Sequence, residues 1–188
     1  HSKYLCTMST IQLHDLHFQP FISEKEVSEI VDRLVLEVSQ DLDPNEVPLF
    51  IGILNGSFLF ASDFIRRFKG NCEVSFVKLS SYQGTESSNQ VNELIGVNEN
   101  LEGRTVIILE DIIDTGNTLH KIYDIFKNKN VKQLKIATLF FKPSVYKKEL
   151  PIDYIGRSIE DKFIVGYGLD YNGLGRNLPA IYQLTTQQ

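Results

Sequence analysis

The sequence predicts an α/β fold, a mainly parallel twisted sheet with helices on both faces. Three observations carry this prediction. Apolar, β-branched runs recur at 48–54, 105–109 and 134–141, as strands buried on both faces require. Two of these runs are followed by a small polar turn and then by helical periodicity: Asn55-Gly56-Ser57 before 58–68, and Asp114–Thr118 before Leu119, Ile122, Tyr123 and Phe126 at i, i+3, i+4 and i+7. The order strand–helix–strand–loop–strand–helix–strand then implies crossovers that lay helices on both faces of one sheet.

Taken in order, residues 1–10 form an N-terminal segment, part of it either foreign to the natural chain or a piece of a longer terminus; Met8 is a candidate native start. Residues 11–188 read as a single domain. Ser23 to Glu26 is an S-x-x-E capping box. Val27, Ile30, Val31, Leu34, Val35 and Val38 follow at helical spacing, giving an amphipathic helix to about Gln40. Its stripe is core and carries no chemistry. Residues 41–48 are a turn-rich connection. The strand 48–54 ends in Asn55-Gly56-Ser57, a second possible anion site at a helix N-terminus and a weak signal by itself. Residues 73–79 alternate, with Val74, Phe76 and Leu79 expected to face one way. Residues 80–91, SSYQGTESSNQV, read by composition as a hairpin tip or disordered loop, or else as a lid. The strand 134–141 ends at Lys142, on the same rim as Glu110 and Asp114, although lone strand-end lysines are usually solvated. In 161–176, DKFIVGYGLDYNGLGR, Phe163 closes a short apolar run and is core by default. Residues 180–184 look like a closing strand. No internal repeat is present.

Composition narrows the class. The 188 residues are 42% hydrophobic and 23% charged, ordinary for a globular protein long enough to bury a full core. A net charge of −5 argues against general nucleic-acid binding. Cys6 and Cys72 suit neither a disulfide framework nor a zinc site, and point to free thiols in a reducing cytosol. The first twenty residues lack an apolar signal-peptide core, and no run reaches the length of a membrane span. The expectation is a cytoplasmic protein without membrane contact.

The chemistry centres on Thr105–Leu119, TVIILEDIIDTGNTL. Glu110 and Asp111 are expected where the strand ends, outside whose carboxyl end ligands of open α/β sheets bind. Thr115, Gly116, Asn117 and Thr118 offer consecutive N–H groups and two hydroxyls at a helix N-terminus, a cradle for a monophosphate. Glu110 and Asp111 would repel that phosphate, so they need another partner; vicinal ribose hydroxyls and a magnesium ion suit them. The competing reading makes Asp114 and the threonines helix caps, which accounts for one acid but not for three.

Two acids, two apolar residues and Asp114-Thr-Gly-x-Thr118 after a buried strand resemble the phosphoribosyl-pyrophosphate signature of type I phosphoribosyltransferases. The block 161–176 narrows the likeness to the hypoxanthine-guanine phosphoribosyltransferase family, and the resemblance covers most of residues 11–184. It implies the type I phosphoribosyltransferase fold with a small hood, gathering both ends of the chain over the base, and a flexible lid loop containing Ser81 and Tyr82. It implies that Asn55 and Gly56 hold pyrophosphate through backbone N–H groups after a cis Leu54–Asn55 peptide. At Asn55 some relatives carry lysine, so the positive charge contributed by this loop is open. It also implies base recognition by Lys142, which donates to the exocyclic oxygen of a 6-oxopurine, with Lys162, Phe163 stacking on the ring, and the backbone at Ile164. Asp170 corresponds to a magnesium-linked acid beside the base, and Arg176 to a pyrophosphate contact. Glu110, Asp111 and Asp170 are the implied Mg2+ set.

The implied reaction joins a 6-oxopurine, hypoxanthine or guanine, to 5-phosphoribosyl 1-pyrophosphate in purine salvage, with Asp114 as general base and a homodimer or homotetramer as the working form. Two alternatives remain: a phosphoribosyltransferase preferring xanthine or another base, and a nucleotide-sensing, RNA-binding regulator on the same fold. The acidic charge and the intact Asp114, Lys142 and Phe163 weigh against the regulator. A dinucleotide-binding oxidoreductase fails for want of a G-x-G-x-x-G turn.

Overall fold

The computed structural model describes residues 9–82, 91–96 and 99–185. Helix α1 (Glu24–Asp41) begins at the predicted capping box: the Glu26 N–H donates to Ser23 Oγ, and the Ser23 N–H donates to the Glu26 carboxylate. Its apolar stripe, Val27 to Val38, is buried. It packs with α2 (Phe58–Arg67) against one face of a sheet, and α3 (Asn117–Lys127) covers the other.

That sheet has the order β5-β4-β3-β6-β7-β8 among the described residues. Its strands are β3 (Leu49–Ile53), β4 (Glu73–Tyr82), β5 (Val91–Ile95), β6 (Thr105–Ile113), β7 (Gln133–Phe141) and β8 (Tyr154–Ser158). The five strands β4-β3-β6-β7-β8 are parallel, and β5 runs antiparallel on β4. Alternation sorts the side chains between two cores. Phe50 of β3 meets Phe64 and Phe68 edge-on at 5.2 and 5.1 Å on the α1/α2 side. Leu49 and Ile51 join Leu119, Ile122 and Phe126 of α3 on the other side.

A second, antiparallel sheet stands over the carboxyl rim, with β1 (Ile11–Leu13), β2 (Leu16–Ile22), β9 (Ile164–Val165) and β10 (Ile181–Leu184) in the order β1-β2-β10-β9. This is the expected hood, made from both ends of the chain around Phe18, Val165, Ala180 and Tyr182. The Tyr167 hydroxyl donates to Asp63 of α2 at 2.7 Å and ties the hood to that helix; burial, then the Asp63 carboxylate, push the phenol's pKa up.

Four expectations change. The acids do not lie beyond the central strand, because β6 runs on through Glu110 and Asp111 to Ile113, pairing Ile112 with Phe140 and Ile113 with Phe141. The faces of β4 are reversed: Ser75 and Val77 are buried, Leu79 packs with the Val77 cluster, and Val74 and Phe76 are 39% and 36% exposed. A face near the sheet edge is not fully covered by α2, so hydrophobicity alone did not identify the buried side. The strand 73–79 continues to Tyr82, which places Ser81 and Tyr82 in an arm paired with Asn92 and Val91; the rest of the expected lid loop, 83–90, lies outside the described residues. Finally, β1, β2, β5, β8 and β9 have no counterpart in the sequence reading. Pro20 inside β2 speaks against a strand, and it is accommodated where the β2–β10 register shifts. No helix of the described residues is long and apolar enough to cross a membrane.

Candidate active site

The site is assembled at the carboxyl ends of β3, β6 and β7 and closed by the β8–β9 connection. At the end of β6 the chain leaves the sheet through Asp114 and Thr115, and Gly116 caps α3 with φ +78°. A side chain at Gly116 would be strained there, and its Cβ would stand 2.5 Å from the Tyr146 ring. Tyr146 therefore lies against the loop, with its hydroxyl donating to Leu150 O at 2.6 Å. The residues from Ile112 to Leu119, with Glu110, line a small cavity of about 120 Å³. Thr115, Asn117 and Thr118 are exposed on it and Gly116 is buried. The stretch predicted as a cradle thus lies at the N-terminus of α3 and borders a small concavity.

Glu110 and Asp111 are each 7% exposed. Burial, followed by the neighbouring Asp111 charge, raises the Glu110 carboxyl well above its ordinary value. Burial also raises Asp111, against the lowering effects of hydrogen bonds, including one from the Ile112 N–H at 2.9 Å, and of the Arg176 charge. Asp111 lies directly under the turn after β3, where a Cβ on Gly56 would overlap its carboxylate. That turn begins with a cis Leu54–Asn55 peptide, as the resemblance implied. Asn55 is exposed, and Ser57 Oγ closes the turn by donating to Ile53 O at 2.6 Å.

Asp170 and Arg176 come from the hood. Arg176 pairs with Asp170 at 2.7 Å and donates to Gly168 O at 2.6 Å. Asp170 also accepts from the Gly173 N–H. The implied set Glu110, Asp111 and Asp170 is thus not gathered into one cluster: no group of three such ligands occurs among the described residues. The guanidinium takes up Asp170, while Glu110 and Asp111 remain a pair.

Lys142 is 6% exposed. Its backbone N–H donates to Ile113 O at 2.9 Å, which sets it beside the end of β6. Its ammonium donates to Asp114 at 3.3 Å and to Asp161 at 3.1 Å. Asp161 carried no expectation; the signal in the sequence was its place one residue before Lys162 and two before Phe163. Lys162 is exposed. Phe163 is 44% exposed, with its ring 6.1 Å from Phe18 and 5.9 Å from Tyr171. It is therefore not the core residue that its type suggests: the ring is supported along one side and open on another. Ile164 is buried in β9, and Phe163 O accepts from the Leu184 N–H. The tertiary structure thus joins three stretches, 54–57, 110–118 and 161–176, around one rim.

Comparison with known proteins agrees with this arrangement. Residues 23–172 match the phosphoribosyl transferase domain family. A hypoxanthine-guanine phosphoribosyltransferase of Staphylococcus epidermidis is 37% identical over 167 residues, covering 88% of this chain and 93% of that protein. Its counterpart in Staphylococcus aureus is 36% identical over 170 residues, covering 90% and 94%. The crystal structure of a hypoxanthine-guanine phosphoribosyltransferase from Bacillus anthracis superposes with a TM-score of 0.81 at 39% identity, over 89% of this chain and 98% of that one. With the strand–turn–helix cradle, the paired buried acids and the hood all in place, the chain belongs to the hypoxanthine-guanine phosphoribosyltransferase family, a family of glycosyltransferases.

Proposed function

We propose that the protein transfers the phosphoribosyl group of 5-phosphoribosyl 1-pyrophosphate to hypoxanthine or guanine, giving the nucleoside monophosphate and pyrophosphate. The observation that carries this reading is the pairing of Asp114 with the buried Lys142 at 3.3 Å. An acceptor and a donor side by side match the N7–H and the 6-oxygen of a 6-oxopurine, neighbouring positions on one edge of the base.

Each residue then has a task. Thr115–Thr118 hold the 5-phosphate at the α3 N-terminus. Asp114 takes or steadies the N7 proton as the base attacks the ribose carbon. Lys142 donates to the 6-oxygen, Phe163 stacks on the ring, and Lys162 and the Ile164 backbone border the base. Asn55, Gly56 and Arg176 receive the leaving pyrophosphate, whose developing charge is an electrostatic load; Asp170 acts on it by orienting Arg176. Ser81 and Tyr82 belong to the hairpin that excludes water from the carbocation-like carbon. Glu110 and Asp111 fit a magnesium ion, because two touching, buried carboxylates are relieved by a hard cation with oxygen ligands. Bound there with the ribose hydroxyls, magnesium would supply charge neutralisation at the pyrophosphate.

We place this activity in the cytoplasm, on cysteine usage, and in a homodimer or homotetramer. Phe58, Val74 and Phe76, each more than a third exposed, leave apolar surface for a second copy; sedimentation velocity should return a mass of two or four chains. The deciding assay is turnover of hypoxanthine, guanine, xanthine and adenine in parallel. Hypoxanthine and guanine should react and adenine should not, since its amino group would meet the Lys142 donor in a desolvated site. Such hydrogen-bond reading discriminates by about 10,000-fold or more. Comparable use of adenine would overturn the reading.

A further inference from the structure

We infer that Asp161 is a positioning residue for base recognition: it anchors the Lys142 ammonium as a second carboxylate partner beside Asp114, so that Lys142 and Asp114 can both turn to the purine edge. The inference rests on the function proposed above and adds to it a residue with no assigned role.

The local structure places Asp161 for this purpose. The connection leaving β8 is pinned to the end of β7 by the Ile159 N–H, which donates to Phe141 O at 2.8 Å, one residue before Lys142. A tight turn follows, closed by the Lys162 N–H on Glu160 O at 2.8 Å. Asp161 is the central residue of that three-residue turn, so its carboxylate is presented outward, 3.1 Å from Lys142 Nζ. The same turn leads directly into Phe163 and Ile164, the residues proposed to face the base.

The chemistry requires such an anchor. A lysine ammonium has three donors and no acceptor. Asp114 and Asp161 take two, leaving the third for a 6-oxygen. When a base binds, Asp114 must turn part of its accepting capacity to N7–H. With Asp161 in place, the buried ammonium keeps a fixed partner during that exchange. Without it, Lys142 and Asp114 would satisfy one another, and both groups would be drawn away from the base. An exposed ion pair would matter little. Here one end is buried: the Lys142 side chain is 7% exposed against 56% for Asp161, so the anchor acts on a group that water cannot hold in its place.

The test is a double-mutant cycle on the full chain, read as the dissociation constant of inosine monophosphate by calorimetry, beside kcat and KM. Asp161→Asn should weaken nucleotide binding and raise KM for hypoxanthine by about tenfold to a hundredfold, the scale of one hydrogen bond to a charged group. KM for 5-phosphoribosyl 1-pyrophosphate should be unchanged, and Asp161→Glu should restore part of the loss. In a Lys142→Met background, Asp161→Asn should have less than about a twofold further effect on nucleotide binding, because the group it positions is gone. Undiminished nucleotide binding in Asp161→Asn, or an equal loss with and without Lys142, would overturn the inference. If the unmutated protein does not turn over hypoxanthine at all, the proposed function fails first, and that outcome is distinct from both.

Discussion

Asp114 sits at the mouth of β6 with its side chain about half exposed and Lys142 against one oxygen, an arrangement suited to a group that must release one partner to take another. Replacing it with Asn keeps the size and removes the charge. Turnover of hypoxanthine should fall by about 100- to 10,000-fold, the usual range for a general base, with KM for 5-phosphoribosyl 1-pyrophosphate little changed; near-normal kcat at neutral pH would exclude Asp114 from that role. Gly56 makes a second residue-level prediction. Because a Cβ there would overlap the Asp111 carboxylate, Gly56→Ala should displace that acid or the turn. KM for 5-phosphoribosyl 1-pyrophosphate should rise at least tenfold, about 1.4 kcal/mol in binding, while binding of free hypoxanthine is spared. Steady-state kinetics with each substrate varied in turn checks this, and an unchanged KM would show that the turn does not hold the pyrophosphate.

At the scale of the element, helices serve two purposes that their starts distinguish. α3 begins without a side-chain cap, at a left-handed glycine, which on the proposed reading leaves its N–H groups for the 5-phosphate. α1 begins with a full capping box, and its N–H groups are satisfied within the chain. Ser23→Ala should therefore cost stability, about 1 kcal/mol, without touching activity, as chemical denaturation beside a turnover assay would report. The cost should depend on pH in a defined direction. The Ser23 backbone N–H, then its hydroxyl, hold the Glu26 carboxyl below its ordinary value. A carboxyl lowered in the folded state contributes stability that is present above its unfolded value and lost as pH falls through its folded value. The penalty of Ser23→Ala should thus shrink in acid, and a penalty that grows in acid would contradict the assigned bond. The hairpin β4–β5 is the element the composition concealed: small polar residues such as Ser81 are drawn into a strand by pairing with β5, which no local signal announces.

For the whole molecule, the hood is held over the rim by contacts between distant parts of the chain. The Tyr167–Asp63 bond ties the chain after β9 to α2, and Gly168 packs against the turn after β3, where a Cβ on Gly168 would overlap Gly56 O. On the proposed reading, two phosphate sites share one rim with Glu110, Asp111 and Asp114, and substrate charge has to be neutralised before it approaches those acids. Activity should accordingly be abolished by excess chelator and restored by added magnesium. Magnesium with 5-phosphoribosyl 1-pyrophosphate should also raise the melting temperature, since a ligand at 100 times its dissociation constant stabilises by about 2.7 kcal/mol. Full turnover in chelator would refute the metal assignment to Glu110 and Asp111.

Local pattern was enough for the parallel sheet, the α1 capping box, the glycine turn that opens α3 and the naming of candidate residues on five separate stretches. These are local: a buried parallel strand, a helix start and a glycine turn each leave their pattern within about ten residues, the span over which periodicity and capping act. Long-range packing set which face of β4 is buried, paired Asp170 with Arg176 rather than with Glu110 and Asp111, left Phe163 open instead of in the core, and brought Asp161 to Lys142. Each of those depends on what another part of the chain brings alongside. An aspartate's partner 19 residues away is set by where β7 and β8 end in the sheet, a relation carried by strand pairing and not by either residue's neighbours in sequence.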